Sequence, residues 1–188
     1  MSFKYKFGMP EVIAMISGTV FLAAVGYLMY QLNVPFIPET ASIVIVAIAA
    51  IFGSSAGGVT AVASTLVFMM LMHLDVSYVV LFGYILMSVG IGHYAADFGI
   101  RDGVFNKDRA LLFLAVHLLM EGFMWVFFVP FFTFLVHRTD LFINLRKNID
   151  SLVLTVLANL ILVPVFIAVS TCIRKGQEHR KRASMIRG

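Results

Sequence analysis

The stretch ASIVIVAIAAIFGSSAGGVTAVASTLVFMMLMHL, residues 41–74, decides how many times this chain crosses a bilayer. A helix needs about 20 residues to cover a hydrocarbon core near 30 Å. Residues 41–74 are too many for one comfortable crossing, and GSSAGG at Gly53 to Gly58 interrupts them. Two short spans joined by a tight turn are therefore expected, with one long tilted helix as the alternative.

The rest of the chain divides at its charges, prolines and turn residues. Further spans are expected at residues 10–32, 78–99, 109–136 and 151–173, giving an all-α polytopic membrane protein with six transmembrane helices. Its 188 residues are 61% hydrophobic and 13% charged, and mean hydropathy is +0.96, which excludes an ordinary soluble domain. The first apolar run is long and others follow, so it does not read as a signal peptide. Pro10 suits an opening helical turn, and Pro130 and Pro164 should kink the last two spans. The lone Cys172 can form no intrachain disulfide.

Basic residues test both span count and orientation. With six spans and both termini cytoplasmic, the inner side receives Lys4, Lys6, Arg101, Lys107, Arg109 and the six basic residues of the tail, 174–188, eleven of the fourteen in the chain. Arg138, Arg146 and Lys147 stay outside, which satisfies the positive-inside rule. Five spans would put the central basic loop and the tail on opposite sides. The expected organisation is a transmembrane domain at 1–173 and a basic cytoplasmic tail at 174–188, the latter meeting anionic headgroups. No aromatic residues interleave the tail's charges, so nucleic acid is not an expected partner. Residues 137–150, HRTDLFINLRKNID, mix charges with apolar residues and are expected to lie at the interface as a short amphipathic helix or to fold over an outer pocket.

Chemistry-bearing residues are few. HYAAD places His93 and Asp97 four apart in the fourth span, and HLLME places His117 and Glu121 four apart in the fifth. Residues at i and i+4 share a helix face, and a short connection makes these helices antiparallel neighbours. The four side chains can form a buried polar network, a proton, ion or substrate site, a divalent-metal site, or a haem site with two axial imidazoles. A network satisfying its own hydrogen bonds is the commonest outcome in hydrocarbon surroundings, and no resident cofactor is expected. Trp125 continues the Glu121 stripe, and Asn159 is the sole amide of the sixth span. Glu11 suits the dipole at the start of the first helix. Ala14 with Gly18, and Thr19 with Ala23, are small pairs that let helices approach closely, within the chain or on a partner subunit. GxSxG, HExxH, CxxC and phosphate-loop patterns are absent from the sequence, so an enzyme is not expected.

The small-residue first span, the proline-containing loop NVPFIPET, the IAAIFGSSAGGVTAVAS turn and a last span ending in a basic tail resemble the substrate-binding S component of energy-coupling factor vitamin transporters. That resemblance implies a bacterial inner-membrane subunit that captures a vitamin-like solute from outside and works with separate coupling and ATPase subunits. It implies docking of a coupling subunit at Ala14 and Gly18. It also implies an outer pocket built from the loop carrying Glu39 and from Glu121, Trp125 and Asn159. LLMEGFMWVFF with SLVLTVLANLILVPVFIAV is similar to the last two spans of MreD rod-shape proteins, where an acidic residue and a later asparagine recur. This second resemblance implies a scaffold of cell-wall elongation. GGVTAVASTLVFMML departs from that pattern by lacking an aspartate. A membrane sensor module is a third reading.

Overall fold

Gly53, with φ +91°, separates α2 (Ile37–Phe52) from α3 (Ser54–Met72), so the described part of the stretch, residues 41–72, does form two helices. A left-handed residue cannot continue a helix, and glycine adopts that conformation without a Cβ penalty. The computed structural model describes residues 8–34, 37–72 and 78–187. Lys4, Lys6, Pro35 and the segment 73–77 lie outside the described residues, as do the side chains of Arg180, Lys181, Arg182 and Arg187.

The described chain is all-helical. α1 (Met9–Gln31) precedes α2; α3 is followed by α4 (Tyr78–His93), the one-turn α5 (Ala95–Phe98) and α6 (Lys107–Gly122). A π-helical segment (Phe123–Phe128) leads into α7 (Val129–His137), and α8 (Leu141–Leu157) and α9 (Asn159–Arg187) complete the order. Among the described residues four helical stretches are long and apolar enough to cross a membrane: Met9–Gln31, Ser54–Met72, Lys107–His137 and Leu141–Glu178. α2 and α4 are shorter apolar helices of 16 residues each, about 24 Å long.

Several boundaries differ from the sequence expectation, each for a local reason. The fourth span was expected to run to residue 99, but α4 stops at His93 and α5 ends on Gly99 in the left-handed region. Residues 137–150 are not a separate interfacial piece. Asp140 accepts hydrogen bonds from the backbone N–H groups of Phe142 (2.8 Å) and Ile143 (3.1 Å), and this cap starts α8 ten residues before the expected span. Pro130 has no N–H and its ring crowds the carbonyl of residue 126. The helix meets it with the π segment just before, in which the Val129 N–H reaches back to Met124 O. The basic tail continues α9 to Arg187 without a break.

The helix ends gather at two levels. At one, here the proximal end, lie the start of α1, the α2–α3 turn, the end of α4 and the loop after α5. Ser54 Oγ donates to Val89 O at 3.3 Å, and Arg101 forms an ion pair with Glu11 on α1. Glu11 therefore does more than meet a helix dipole: it ties α1 to that loop. At the opposite, distal end lie the start of α2 and the middle of α8, joined by a hydrogen bond from Ser151 Oγ to Glu39 Oε1. Adjacent helices thus alternate in direction. The core between them holds Ile45, Val46, Ala49, Met87 and Ile91, all fully buried.

Gly18 is part of this packing. It is buried, and a Cβ there would collide with Ile48 of α2 and lie 3.1 Å from Thr60 Cγ2 of α3. The expected small-residue docking face at Ala14 and Gly18 is therefore taken up, at Gly18, by helices of the same chain; Ala14 is half-buried. The exposed face of α1 carries Met9, Ile13, Ile16 and Val20 instead, as a lipid-facing stripe would.

Candidate functional site

The chain buries a set of polar side chains that its apolar helices would otherwise exclude. On α6, His117 is fully buried and Glu121 is 1% exposed. Their i, i+4 spacing puts them on one face, and His117 Nε2 lies 3.2 Å from Glu121 Oε1. The other ring nitrogen, Nδ1, lies 2.7 Å from Oδ1 of Asn159, the first residue of α9. Asn159 Nδ2 donates to Val156 O at 3.0 Å, which fixes the amide with its oxygen toward the ring. His117 therefore donates from Nδ1.

A polar stripe running along α8 to the first residue of α9 leads into this contact. Ser151, Thr155 and Asn159 are four residues apart and span about 12 Å of helix. Thr155, fully buried, donates to carbonyls within its own helix, while Ser151 reaches Glu39 and Asn159 meets His117. Tyr84, on α4, is buried and lies within electrostatic range of both Glu39 and Glu121. Trp125 follows Glu121 by one turn, on the π segment, and is 3% exposed, so it faces the protein and not lipid. Glu39 Oε2, Glu121 Oε2 and Trp125 Nε1 are buried without a hydrogen-bond partner within the described protein.

On the proximal side the cluster ends in aromatic rings. His117 packs on Phe113 with centroids 5.3 Å apart, and Phe113 makes edge contacts with Phe98 at 5.4 Å and Phe166 at 5.0 Å. Phe105 extends the group by an edge contact with Phe166 at 5.8 Å. This layer closes the cluster toward the end where α1 begins.

At the distal end a cavity of about 160 Å³ opens between α1, α2, α3 and α4. Leu22, Gly26 and Met29 contribute from α1, Ala41 from α2, Phe68 from α3 and Val80 from α4, with Thr40, Ser64, Thr65 and Tyr84 as its polar groups. Tyr84 is the residue shared between the cavity and the polar cluster.

Of the residues singled out from sequence, the structure joins His117, Glu121 and Asn159 directly and places Glu39 and Trp125 among the buried groups of the same half. It separates His93 and Asp97 from them, because both are exposed. The expected four-residue arrangement is thus not the one observed: His117 takes Asn159 as partner, not His93. Among the described residues no group of three or more His, Cys, Asp and Glu is placed to hold a metal ion. Gly90 faces Met120 and Gly92 faces Ser54, which sets the rotation of α4 and turns His93 outward. Tyr84 and Ser151 were missed. Ser151 was available from the i, i+4, i+8 register of Ser151, Thr155 and Asn159, and a tyrosine deep in an apolar run signals a hydroxyl that needs a partner.

The link between α2 and α8 gives a modest test of this arrangement. Ser151→Ala should cost about 1 kcal/mol, the net worth of one such hydrogen bond. Chemical unfolding in mixed micelles measures it, and no loss of stability would separate Glu39 from α8. Compared with known proteins, the chain matches no family model, no curated protein and no solved structure.

Proposed function

We propose that this chain is a six-span membrane subunit that captures a small solute from the outer side and hands it to separate membrane and ATPase subunits. The cavity between α1 and α4 carries this reading. It lies at the distal end, which the positive-inside rule assigns to the outside because Arg101, Lys107 and Arg109 sit near the proximal level. The shorter α2 and α4 are counted as crossings because their ends lie level with those of their neighbours, and a bilayer adapts to a short hydrophobic stretch at modest cost. A cavity of about 160 Å³ accommodates the apolar part of a ligand no larger than one ring, since a void of roughly 150 Å³ holds benzene. The solute's polar part would meet Tyr84 and Thr40.

Purification in native lipid followed by mass spectrometry of co-purified small molecules and proteins tests the proposal. A stoichiometric small molecule is expected, and Ala41→Phe, which fills the cavity, should remove it at least tenfold while leaving helicity unchanged. Protein without any bound small molecule would refute the capture role. A scaffold role in cell-wall elongation is the second reading. One observation favours it: Glu121 and Asn159, the two positions behind the likeness to MreD proteins, are bridged through His117. Co-purifying cell-wall synthases would support that role.

A further inference from the structure

We propose that His117 and Glu121 form a proton-binding site, holding one exchangeable proton between Nε2 and Oε1 and exchanging it with the distal side of the bundle. The inference is independent of the solute reading, since it concerns different residues. Asn159 sets the tautomer. With its oxygen held toward His117 by the Val156 carbonyl bond, the Nδ1 hydrogen is committed to Asn159. Nε2 then meets Glu121 Oε1 at 3.2 Å with a lone pair unless a proton lies between them. A carboxylate facing that lone pair would set two acceptors against each other in a place where His117 and Glu121 are 0% and 1% exposed.

Placing the proton on Glu121 leaves both partners uncharged, the arrangement that apolar surroundings favour over a separated ion pair. The titratable group near the pair is Tyr84 from α4, which also lies within electrostatic range of Glu39 on α2; α9 meets the pair with the neutral Asn159, and α8 before it carries the neutral Thr155 and Ser151. Glu121 Oε2 is buried and has no hydrogen-bond partner within the described protein, so it is the carboxyl oxygen left to take part in an exchange. The Phe98, Phe113 and Phe166 layer closes the proximal direction, and the hydroxyls of Thr155 and Ser151 lead toward Glu39 at the distal end. The proton that departs is replaced from the same side, and buried ionisable groups in membrane helices commonly serve such relays.

Infrared spectra of the full chain in lipid vesicles, in H₂O and in D₂O, test this. The carbonyl stretch of a protonated carboxylic acid is expected, shifted in D₂O and lost in Glu121→Gln. Glu121→Asp should move the band instead of abolishing it, which separates the assignment from a folding failure. In Glu39→Gln the shift in D₂O should slow at least severalfold. A spectrum in which Glu121→Gln, still fully helical, removes no acid band would overturn the proposal. So would an acid band that never shifts in D₂O, because the proton would then be locked in a dry structural contact.

Discussion

Replacing His117 with leucine is expected to destabilise the protein by about 2–6 kcal/mol, because two buried groups lose their partner at roughly 1–3 kcal/mol each. The cost is not the lost contact itself. Glu121 would remain 1% exposed with neither oxygen bonded, and Asn159 Oδ1 would lose the ring that fills it. Leaving a buried group unsatisfied is the expensive outcome, whereas replacing both partners by apolar groups of similar shape is close to neutral. His117→Leu combined with Glu121→Leu should therefore recover the share of the loss that belongs to Glu121, while the share that belongs to Asn159 remains. Unfolding in mixed micelles, run as a double-mutant cycle, measures the coupling. Equal and additive losses would show that the pair does not interact.

Gly92→Ala is expected to be nearly as damaging, at roughly 3 kcal/mol, and for a different reason. A Cβ at this position would overlap the backbone nitrogen of Ser54 and lie 2.6 Å from the carbonyl carbon of Gly53. Those are main-chain atoms of the α2–α3 turn, so no side-chain rotation relieves the clash. Either α4 must move away from α3, or the turn whose Gly53 holds φ +91° must distort. Gly58→Ala is the control, because nothing lies within 4 Å of its Cβ position and alanine is the better helix former. Gly58→Ala should match or exceed the parent in a thermal melt followed by circular dichroism, while Gly92→Ala should unfold well below it. A small effect at Gly92 would mean that α4 and the turn are not in close contact.

How far the sequence revealed this arrangement depended on which physics was local. The break between α2 and α3 was legible because a glycine cluster within an apolar run has one simple explanation, and the turn falls on Gly53. The caps at Asn106 and Asp140 act within a few residues, yet neither was read from the sequence, and around Asp140 the charges of residues 137–150 obscured the helix that it starts. Helix rotation was not legible. His93 and His117 have matching spacings to a carboxylate, but α4 is oriented by glycines packed against Met120 and Ser54, contacts between segments far apart in sequence. The pairing of His117 with Asn159 across forty-two residues had the same long-range origin, although both residues stood out as polar groups in apolar spans. The cavity was not legible at the level of residues. Its walls are α1 to α4, whereas Glu121, Trp125 and Asn159 sit on α6, the π segment and α9.

The proposed capture role requires six crossings with the cavity opening outward, and α2 and α4 are the helices that decide it. Single cysteines at Asn33, Ser55, Asp102 and Thr139 can be introduced after Cys172, which is exposed, is changed to serine. A membrane-impermeant maleimide applied to intact cells should label Asn33→Cys and Thr139→Cys. Ser55→Cys and Asp102→Cys should react only after the membrane is permeabilised. Ser55 decides the matter, because it is cytoplasmic when α2 and α4 cross and external when they do not. Labelling of Ser55→Cys in intact cells, with Asp102→Cys still protected, would contradict the six-span arrangement and the outward cavity with it.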